Sequence, residues 1–146
     1  MNYEMLFKHE FESIINKYNM KYLVVDNNEF AIVGRNFALI FTIHLGDAFI
    51  RYVMPNEQGE LEVYNFDSFI VEKFNATDRE KIKISNTVEE KITNQFKIIA
   101  KGLINHWHKL LKGEKTWMED YLKYELAGKP RKANKKIIDV IGIFRN

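Results

Sequence analysis

The sequence predicts an α+β fold: an N-terminal helix, an antiparallel β-meander of about five strands, and two C-terminal helices packed on the sheet. Apolar residues recur at helical spacing near the start of the chain and again beyond residue 87. Short runs rich in β-branched and aromatic residues lie between these two regions. Because only a few residues connect the runs, no helical crossover fits between them, and neighbouring strands must be antiparallel.

The first helix is predicted from an apolar stripe with spacings of three and four residues. The stripe consists of Tyr3, Phe7, Phe11, Ile14 and Tyr18. Charged residues fall off this stripe, as expected for a helix that places one face on a core. We expect the helix to end near Asn19.

Five β-rich runs predict the strands of the meander. They occupy residues 22–25, 30–33, 37–44, 49–54 and 61–65. Asn, Asp and Gly separate them at the positions where the backbone must reverse. Residues 66–74 are a candidate for one further strand. We expect residues 75–87 to form a loop with a short helical turn near Asp78.

The longest helix is predicted over residues 87–110. Thr87 and Glu90 form a capping-box pattern, because a hydroxyl and a carboxylate at this spacing can each accept from a free backbone N–H. The apolar stripe that follows contains Val88, Ile92, Phe96, Ile99, Leu103, His106 and Leu110. Gly113 is expected to end this region.

A second capping-box pattern, Thr116 with Glu119, predicts the other C-terminal helix. Trp117 follows directly and offers a large apolar side chain for packing between helices. We expect Gly128 and Pro130 to end this helix, because neither residue continues helical geometry easily.

The length of the chain, 146 residues, is usual for one domain, and we predict a single α+β domain over residues 1–146. Residues 131–146 are a candidate for a basic and apolar tail. Within this segment, residues 137–144 fit a strand, a helix or a dimer contact.

The composition narrows the classes of function. The sequence has no Cys, which excludes disulfides, thiolate metal ligands and a thiol nucleophile. It shows no secretion signal and no stretch approaching the ~18 apolar residues of a membrane span, so we expect a cytoplasmic protein without a membrane partner. The sequence contains no Gly-rich phosphate loop, serine-hydrolase elbow or zinc-protease motif. We therefore expect no cofactor and favour a protein that is not an enzyme.

Charge is divided unevenly along the chain. Residues 1–96 carry 10 Lys and Arg against 15 Asp and Glu, a net charge of −5, whereas residues 97–146 carry 12 against 5, a net charge of +7. An acidic group lies in the last predicted hairpin and just after it, and it consists of Glu57, Glu60, Glu62 and Asp67 together with Tyr64. We predict that these residues bind a partner protein, a basic toxin being one candidate, through long-range attraction. The alternative is a solvated strand face.

A basic group in the last part of the chain supports a second hypothesis, binding of nucleic acid. It contains Lys129, Arg131, Lys132, Lys135 and Lys136. Such a group could bind a phosphate backbone with salt-dependent affinity. However, no helix-turn-helix, RNA-recognition or KH motif accompanies it, and lysines are also common near helix C-termini and in solvated segments.

The histidines support a third hypothesis, a small enzyme centred on His44 or His106. His44 ends a predicted strand beside Asp47, and a histidine next to a carboxylate can act as an acid–base pair. The alternative is a histidine that only closes a hairpin. His106 and His108 are two residues apart on a helix, a rotation of about 200°, so their imidazoles diverge. We therefore predict no metal site and expect His106 to border the core.

Three segments carry a resemblance to known proteins. They are residues 59–64 at the end of the meander, His106 with Trp107, and residues 110–117. Together with the amphipathic first helix, these segments resemble small uncharacterised bacterial proteins, some of which are thought to be immunity partners of polymorphic toxins. The resemblance implies a non-enzymatic protein binder that blocks a bacterial toxin by occlusion. It implies no catalytic motif and no specific binding residue.

Overall fold

The computed structural model describes residues 2–145 and shows an α+β fold, which confirms the predicted fold class. The helices are α1 (Tyr3–Lys17), α2 (Asp67–Val71), α3 (Val88–His106), α4 (His108–Leu111), α5 (Trp117–Lys123) and α6 (Lys135–Arg145). The strands are β1 (Lys21–Asp26), β2 (Glu29–Gly34), β3 (Phe37–His44), β4 (Asp47–Pro55), β5 (Leu61–Asn65) and β6 (Arg131–Lys132). A 3₁₀ turn at Ala76–Arg79 precedes α3.

The strands form one sheet in the order of the sequence, and every neighbouring pair is antiparallel. In the β3–β4 hairpin, Leu45 and Gly46 occupy the loop with φ values of 49° and 80°, and His44 pairs with Asp47. Two left-handed residues in a two-residue loop match the twist of the flanking strands. The short strand β6 pairs with β5 and adds to the five predicted strands.

The inner face of the sheet is covered by α1 and α3. Phe7 and Phe11 of α1, Phe41 of β3 and Phe96 of α3 are fully buried together, and their neighbouring ring centroids lie 4.5–5.7 Å apart. Burying one such side chain stabilises the fold by about 1.5–3 kcal/mol. This cluster therefore holds both helices on the sheet and confirms the amphipathic character predicted for α3.

The N-terminus of α3 is capped by the predicted residues. The Thr87 hydroxyl oxygen accepts a 3.1 Å hydrogen bond from the backbone N–H of Glu90. The Glu90 carboxylate accepts a 2.8 Å hydrogen bond from the backbone N–H of Asn86, the residue before the cap. The first bond pairs a donor of the first helical turn that the helix itself cannot satisfy, and the second pairs a donor of the loop before the helix.

The helix α3 ends at His106 and does not continue to Leu110 as predicted. Trp107 leaves helical geometry, with φ −130° and ψ 31°, and α4 begins directly after it. The indole N–H of Trp107 donates a 3.0 Å hydrogen bond to the carbonyl of Ile70. This contact with a distant segment accompanies the break.

The second capping-box prediction is wrong. Thr116 already has helical backbone angles, φ −62° and ψ −20°, and its side chain makes no capping hydrogen bond. The helix α5 ends at Lys123, well before Gly128, because Tyr124 adopts an extended backbone with φ −75° and ψ 123°. The chain then reaches β6 through residues 124–130.

The prediction of a further strand within residues 66–74 is wrong, because this segment contains α2. The backbone N–H of Phe66 donates to the carbonyl of Ile50 at 3.0 Å, and the backbone N–H of Ile50 donates to the Asp67 carboxylate. These bonds satisfy both backbone groups of Ile50. Phe66 and Phe69 are both buried, a spacing that fits a helix and not a strand.

Part of the outer face of the sheet is covered by α6. The apolar cluster at this contact contains Ala31, Val33, Ala38, Ile40, Val53, Leu61, Ala133, Ile137 and Ile141. The Asn134 side chain accepts a 2.9 Å hydrogen bond from the Ile137 N–H, and Lys136 Nζ lies 3.0 Å from an Asp26 carboxylate oxygen. Segment 137–144 is therefore helical, and residue 146 of the expected tail lies outside the described residues.

Candidate functional site

A groove of about 730 Å³ lies on the outer face of the sheet where α6 does not cover it. The floor of this outer groove is formed by Thr42, His44, Phe49, Arg51, Val63 and Asn65. Its wall is formed mainly by segment 126–134, between α5 and α6. The volume falls within the range of about 300–1,000 Å³ that is typical of ligand-binding clefts.

Arg51 is the central charged residue of the floor, and its guanidinium is held in place. The Glu29 carboxylate, whose side chain is 10% exposed, contacts Arg51 Nη2 and accepts a 2.7 Å hydrogen bond from the Thr42 hydroxyl. Arg51 Nη2 also lies 3.2 Å from the Thr42 hydroxyl oxygen. The Arg51 side chain is 30% exposed, and its Nε and Nη1 make no hydrogen bond within residues 2–145.

Asp67 is the acidic residue in the lining of the outer groove. Its carboxylate accepts a hydrogen bond from the backbone N–H of Ile50. Burial raises the pKa of Asp67 above its usual value, while the Ile50 N–H and the charge of Arg51 oppose part of that increase. Asp67 is therefore a half-buried carboxylate with a structural hydrogen bond.

Strand pairing brings the basic segment to the groove. Arg131 of β6 lies opposite Val63 of β5, at the floor. The Tyr121 hydroxyl lies 3.3 Å from the carbonyl oxygen of Gly128 and 3.5 Å from that of Asn65. These contacts connect the loop before β6 to α5 and to the end of β5.

The structure brings together three of the five residues predicted to bind nucleic acid. Lys129, Arg131 and Lys132 line the outer groove, whereas Lys135 and Lys136 lie in the first turn of α6. Two of the five are in ion pairs, Lys136 with β1 and Lys132 with the β4–β5 turn. Among the residues that the structure describes, Lys129 and Arg131 have no acidic partner.

The acidic residues predicted to bind a partner have different surroundings. Glu57 is exposed in the β4–β5 turn. A Glu60 carboxylate oxygen lies 3.4 Å from Lys132 Nζ. The Glu62 carboxylate accepts a 2.8 Å hydrogen bond from the side-chain amide of Asn56. Two of the three carboxylates thus already have polar partners within the fold.

The aromatic member of the predicted set, Tyr64, belongs to the inner side of the sheet. Its ring packs edge-on against Trp117 and Tyr121, with centroid distances of 5.5 Å and 5.6 Å. Asp67, by contrast, lies at the outer groove. The structure therefore does not gather the acidic set on one surface, and its binding role stays a prediction.

His44 is exposed in the floor of the outer groove. It pairs with Asp47 in the strand register, but the Asp47 carboxylate lies 3.1 Å from Lys91 Nζ. Within the described part of the chain, the His44 imidazole makes no hydrogen bond. The fold thus gives His44 access to the groove without an orienting carboxylate.

His106 belongs to a buried polar network at the end of α3. Its Nε2 donates a 2.8 Å hydrogen bond to Asp78, whose carboxylate is fully buried. The side-chain amide of Asn105 and the backbone N–H of Asn75 donate to the same carboxylate, each at 2.8 Å. Burial alone would raise the pKa of Asp78, but the hydrogen bonds and the His106 charge together lower it. The network joins the 3₁₀ turn to α3.

Four functional residues were not predicted from the sequence. Glu29, Thr42 and Arg51 form the hydrogen-bonded group at the groove, and Phe49 lies on the floor beside them. A signal was present in the strand alternation. Thr42 follows Ile40 by two residues, and Arg51 precedes Val53 by two, so each polar residue shares a sheet face with an apolar one. On the outer face of the sheet, the change from apolar to polar side chains along each strand marks where α6 stops covering the sheet.

Comparisons with known proteins do not assign the chain. No protein family matches the sequence, and neither the characterised proteins nor the solved structures give a significant match. Within residues 2–145, no three His, Asp or Glu side chains are grouped to hold a metal ion. In the same part of the chain, no helix has the length and apolar content needed to cross a bilayer.

Proposed function

We propose that this protein is a non-enzymatic binding protein that receives a segment of a partner protein in the outer groove. The observation that carries the proposal is the oriented Arg51 network, which lies beside the apolar cluster under α6 on the same sheet face. A half-buried ion pair is seldom the most stabilising solution for such a face, whereas a fixed guanidinium is well suited to recognition. Phe49 beside it is 37% exposed and provides an apolar contact.

The groove supports binding better than catalysis. A general base is usually oriented by a second group, and His44 has no such partner among the described residues. The Thr42 hydroxyl donates to Glu29 and is not paired with a histidine that could activate it. His106 does have a carboxylate partner, but Asp78 is fully buried and joins the 3₁₀ turn to α3, and His106 does not line the groove. We therefore rank an enzyme centred on His44 or His106 below a binding protein.

The instance that we favour is an immunity protein that blocks a bacterial toxin by occlusion. The resemblance to bacterial proteins of this type supports it, and a bacterial, cytoplasmic protein is part of the same proposal. Glu57 and Glu60, in the β4–β5 turn, would add contacts to basic groups of the toxin.

Site-specific photo-crosslinking tests the proposed function. A benzophenone amino acid replaces Phe49 in the groove or Ile84, which is 88% exposed and does not line the groove. In cells of the source organism, we expect one dominant crosslinked protein from position 49 and none from position 84. The product of the neighbouring gene is the first candidate.

The crosslinked protein is then purified, and calorimetry should show saturable binding to the wild-type chain. Equal crosslinking from both positions, or no crosslinked protein from position 49, would contradict the proposed function.

Nucleic-acid binding is the second candidate, supported by the pairing of β6 that places Lys129, Arg131 and Lys132 along one wall. It predicts an affinity for DNA or RNA that falls steeply as salt concentration rises. An electrophoretic mobility shift at low salt tests it, and the absence of any shift would exclude this candidate.

A further inference from the structure

The lining of the outer groove carries an excess of positive charge. Its basic residues are Arg51, Lys129, Arg131 and Lys132, and Asp67 is its acidic residue. Lys129 and Arg131 are exposed and, within residues 2–145, have no ion-pair partner. Complementary charge steers association and selects partners, so the groove favours an acidic occupant.

Arg51 adds directionality to this charge. Glu29 and Thr42 hold Nη2, which leaves the other guanidinium N–H groups for a ligand. A planar guanidinium can bind a carboxylate through two parallel hydrogen bonds. Because the side chain is already fixed, less rotamer entropy is lost when the partner binds.

The groove also has apolar surface next to its charges. Phe49 on the floor and Leu126 on the wall are both exposed, and Val63 is partly exposed. An apolar side chain of a partner would cover these residues and remove their surface from water, which is favourable by about 25 cal/mol per Å².

The same surface fits a peptide better than a nucleic acid. Lys132 is paired with Glu60 and Arg51 with Glu29, so within residues 2–145 only Lys129 and Arg131 of the lining lack an acidic partner, which is few for consecutive phosphates. Single-stranded nucleic acid usually requires several aromatic platforms for base stacking, whereas the groove exposes Phe49 alone on its floor.

We propose that the outer groove binds an acidic peptide segment of the partner, with separate carboxylates at Arg51 and at Arg131 and an apolar side chain against Phe49. This inference rests on the proposed function and specifies the chemistry of the bound segment.

Titration of the ¹⁵N-labelled full chain with three probes tests the inference by NMR. The probes are a capped peptide in which glutamate alternates with leucine, the matched peptide with lysine in place of glutamate, and a single-stranded oligonucleotide. We expect the glutamate peptide to cause saturable shifts in β3, β4, β5 and segment 126–134. We expect the lysine peptide to cause none there.

Matched variants then show whether the affinity for the glutamate peptide depends on a specific contact in the groove or only on the net charge of the protein. Arg131→Glu and Lys109→Glu change the net charge equally, but Lys109 lies in α4, away from the groove lining. Arg131→Glu should weaken binding of the glutamate peptide at least tenfold, and Lys109→Glu less than threefold. Arg51→Lys keeps the charge but loses the planar fork, and it should weaken binding at least fivefold.

Three results would overturn the inference: no saturable shift with the glutamate peptide, equal weakening by the two charge reversals, or tighter binding of the oligonucleotide at the same amides. The proposed function fails separately. If crosslinking at position 49 identifies a partner whose affinity Arg131→Glu does not change, the acidic segment is excluded and the binding function stands. If crosslinking identifies no partner, the binding function fails whatever the peptide does.

Discussion

Replacing the buried carboxylate of Asp78 tests how the 3₁₀ turn is held to α3. The carboxylate accepts three hydrogen bonds of 2.8 Å, from the Asn75 N–H, the Asn105 amide and His106 Nε2. Asp78→Asn replaces one of the two carboxylate oxygens with an NH₂ group, which cannot accept a hydrogen bond. At least one of the three donors therefore loses its acceptor. A hydrogen bond to a charged group contributes about 1.5–3 kcal/mol, and an unsatisfied buried donor costs about 1–3 kcal/mol. We therefore expect the free energy of unfolding to fall by about 3 kcal/mol at pH 7.

The effect should depend on pH in a defined direction. The pKa of Asp78 in the folded protein lies below its usual value of 3.8, because the hydrogen bonds and His106 outweigh burial. The stabilisation is present above the unfolded-state pKa and is lost as the pH falls through the folded-state pKa. The difference between the wild type and Asp78→Asn should therefore shrink in acid.

Urea denaturation followed by tryptophan fluorescence at several pH values measures this difference. Asp139→Asn is the matched control, because Asp139 is exposed on α6 and should change stability by less than about 0.5 kcal/mol. If Asp78→Asn is as stable as this control at neutral pH, or if the difference grows on acidification, the reasoning is refuted.

Three further predictions follow from other contacts. Trp107→Phe removes the indole N–H that donates to Ile70 and should lower the free energy of unfolding by about 1–2 kcal/mol, measured by urea denaturation. Unchanged stability would contradict it. Burial lowers the pKa of Lys115 to about 8 from its usual 10.5, so the unfolded chain binds more protons between these values. The stability of the wild type relative to Lys115→Met should then rise with pH across that window, and a difference that does not change with pH would exclude this origin. Finally, Glu60→Lys combined with Glu62→Lys should lower the affinity for a basic partner at least tenfold, measured by calorimetry, because the two changes replace attraction with repulsion. An unchanged affinity would show that these acidic residues do not belong to the interface.

Helix α3 shows why some elements follow from sequence alone. Its apolar stripe and its Thr87 cap depend on residues three or four positions apart, so the pattern and the structure have the same short range. The break at Trp107 coincides with a long-range contact, in which the indole N–H donates to the carbonyl of Ile70 in α2. In α2, the spacing of Phe66 and Phe69 is a local signal, whereas the bonds of Phe66 and Asp67 to the backbone of Ile50 in β4 are long-range contacts that the sequence does not show.

The outer groove depends on contacts between residues that are far apart in the sequence. The sequence by itself determined the helical and strand periodicities, the tight turns and most of the apolar faces, because each is a relation between near neighbours in the chain. The tertiary structure decided that the two residues of β6 pair with β5 and place Arg131 beside the groove that contains Arg51. A two-residue strand is too short to show an alternating pattern in the sequence. Its position depends on the packing of α6 against strands that lie far before it in the sequence. The groove is a product of those distant contacts.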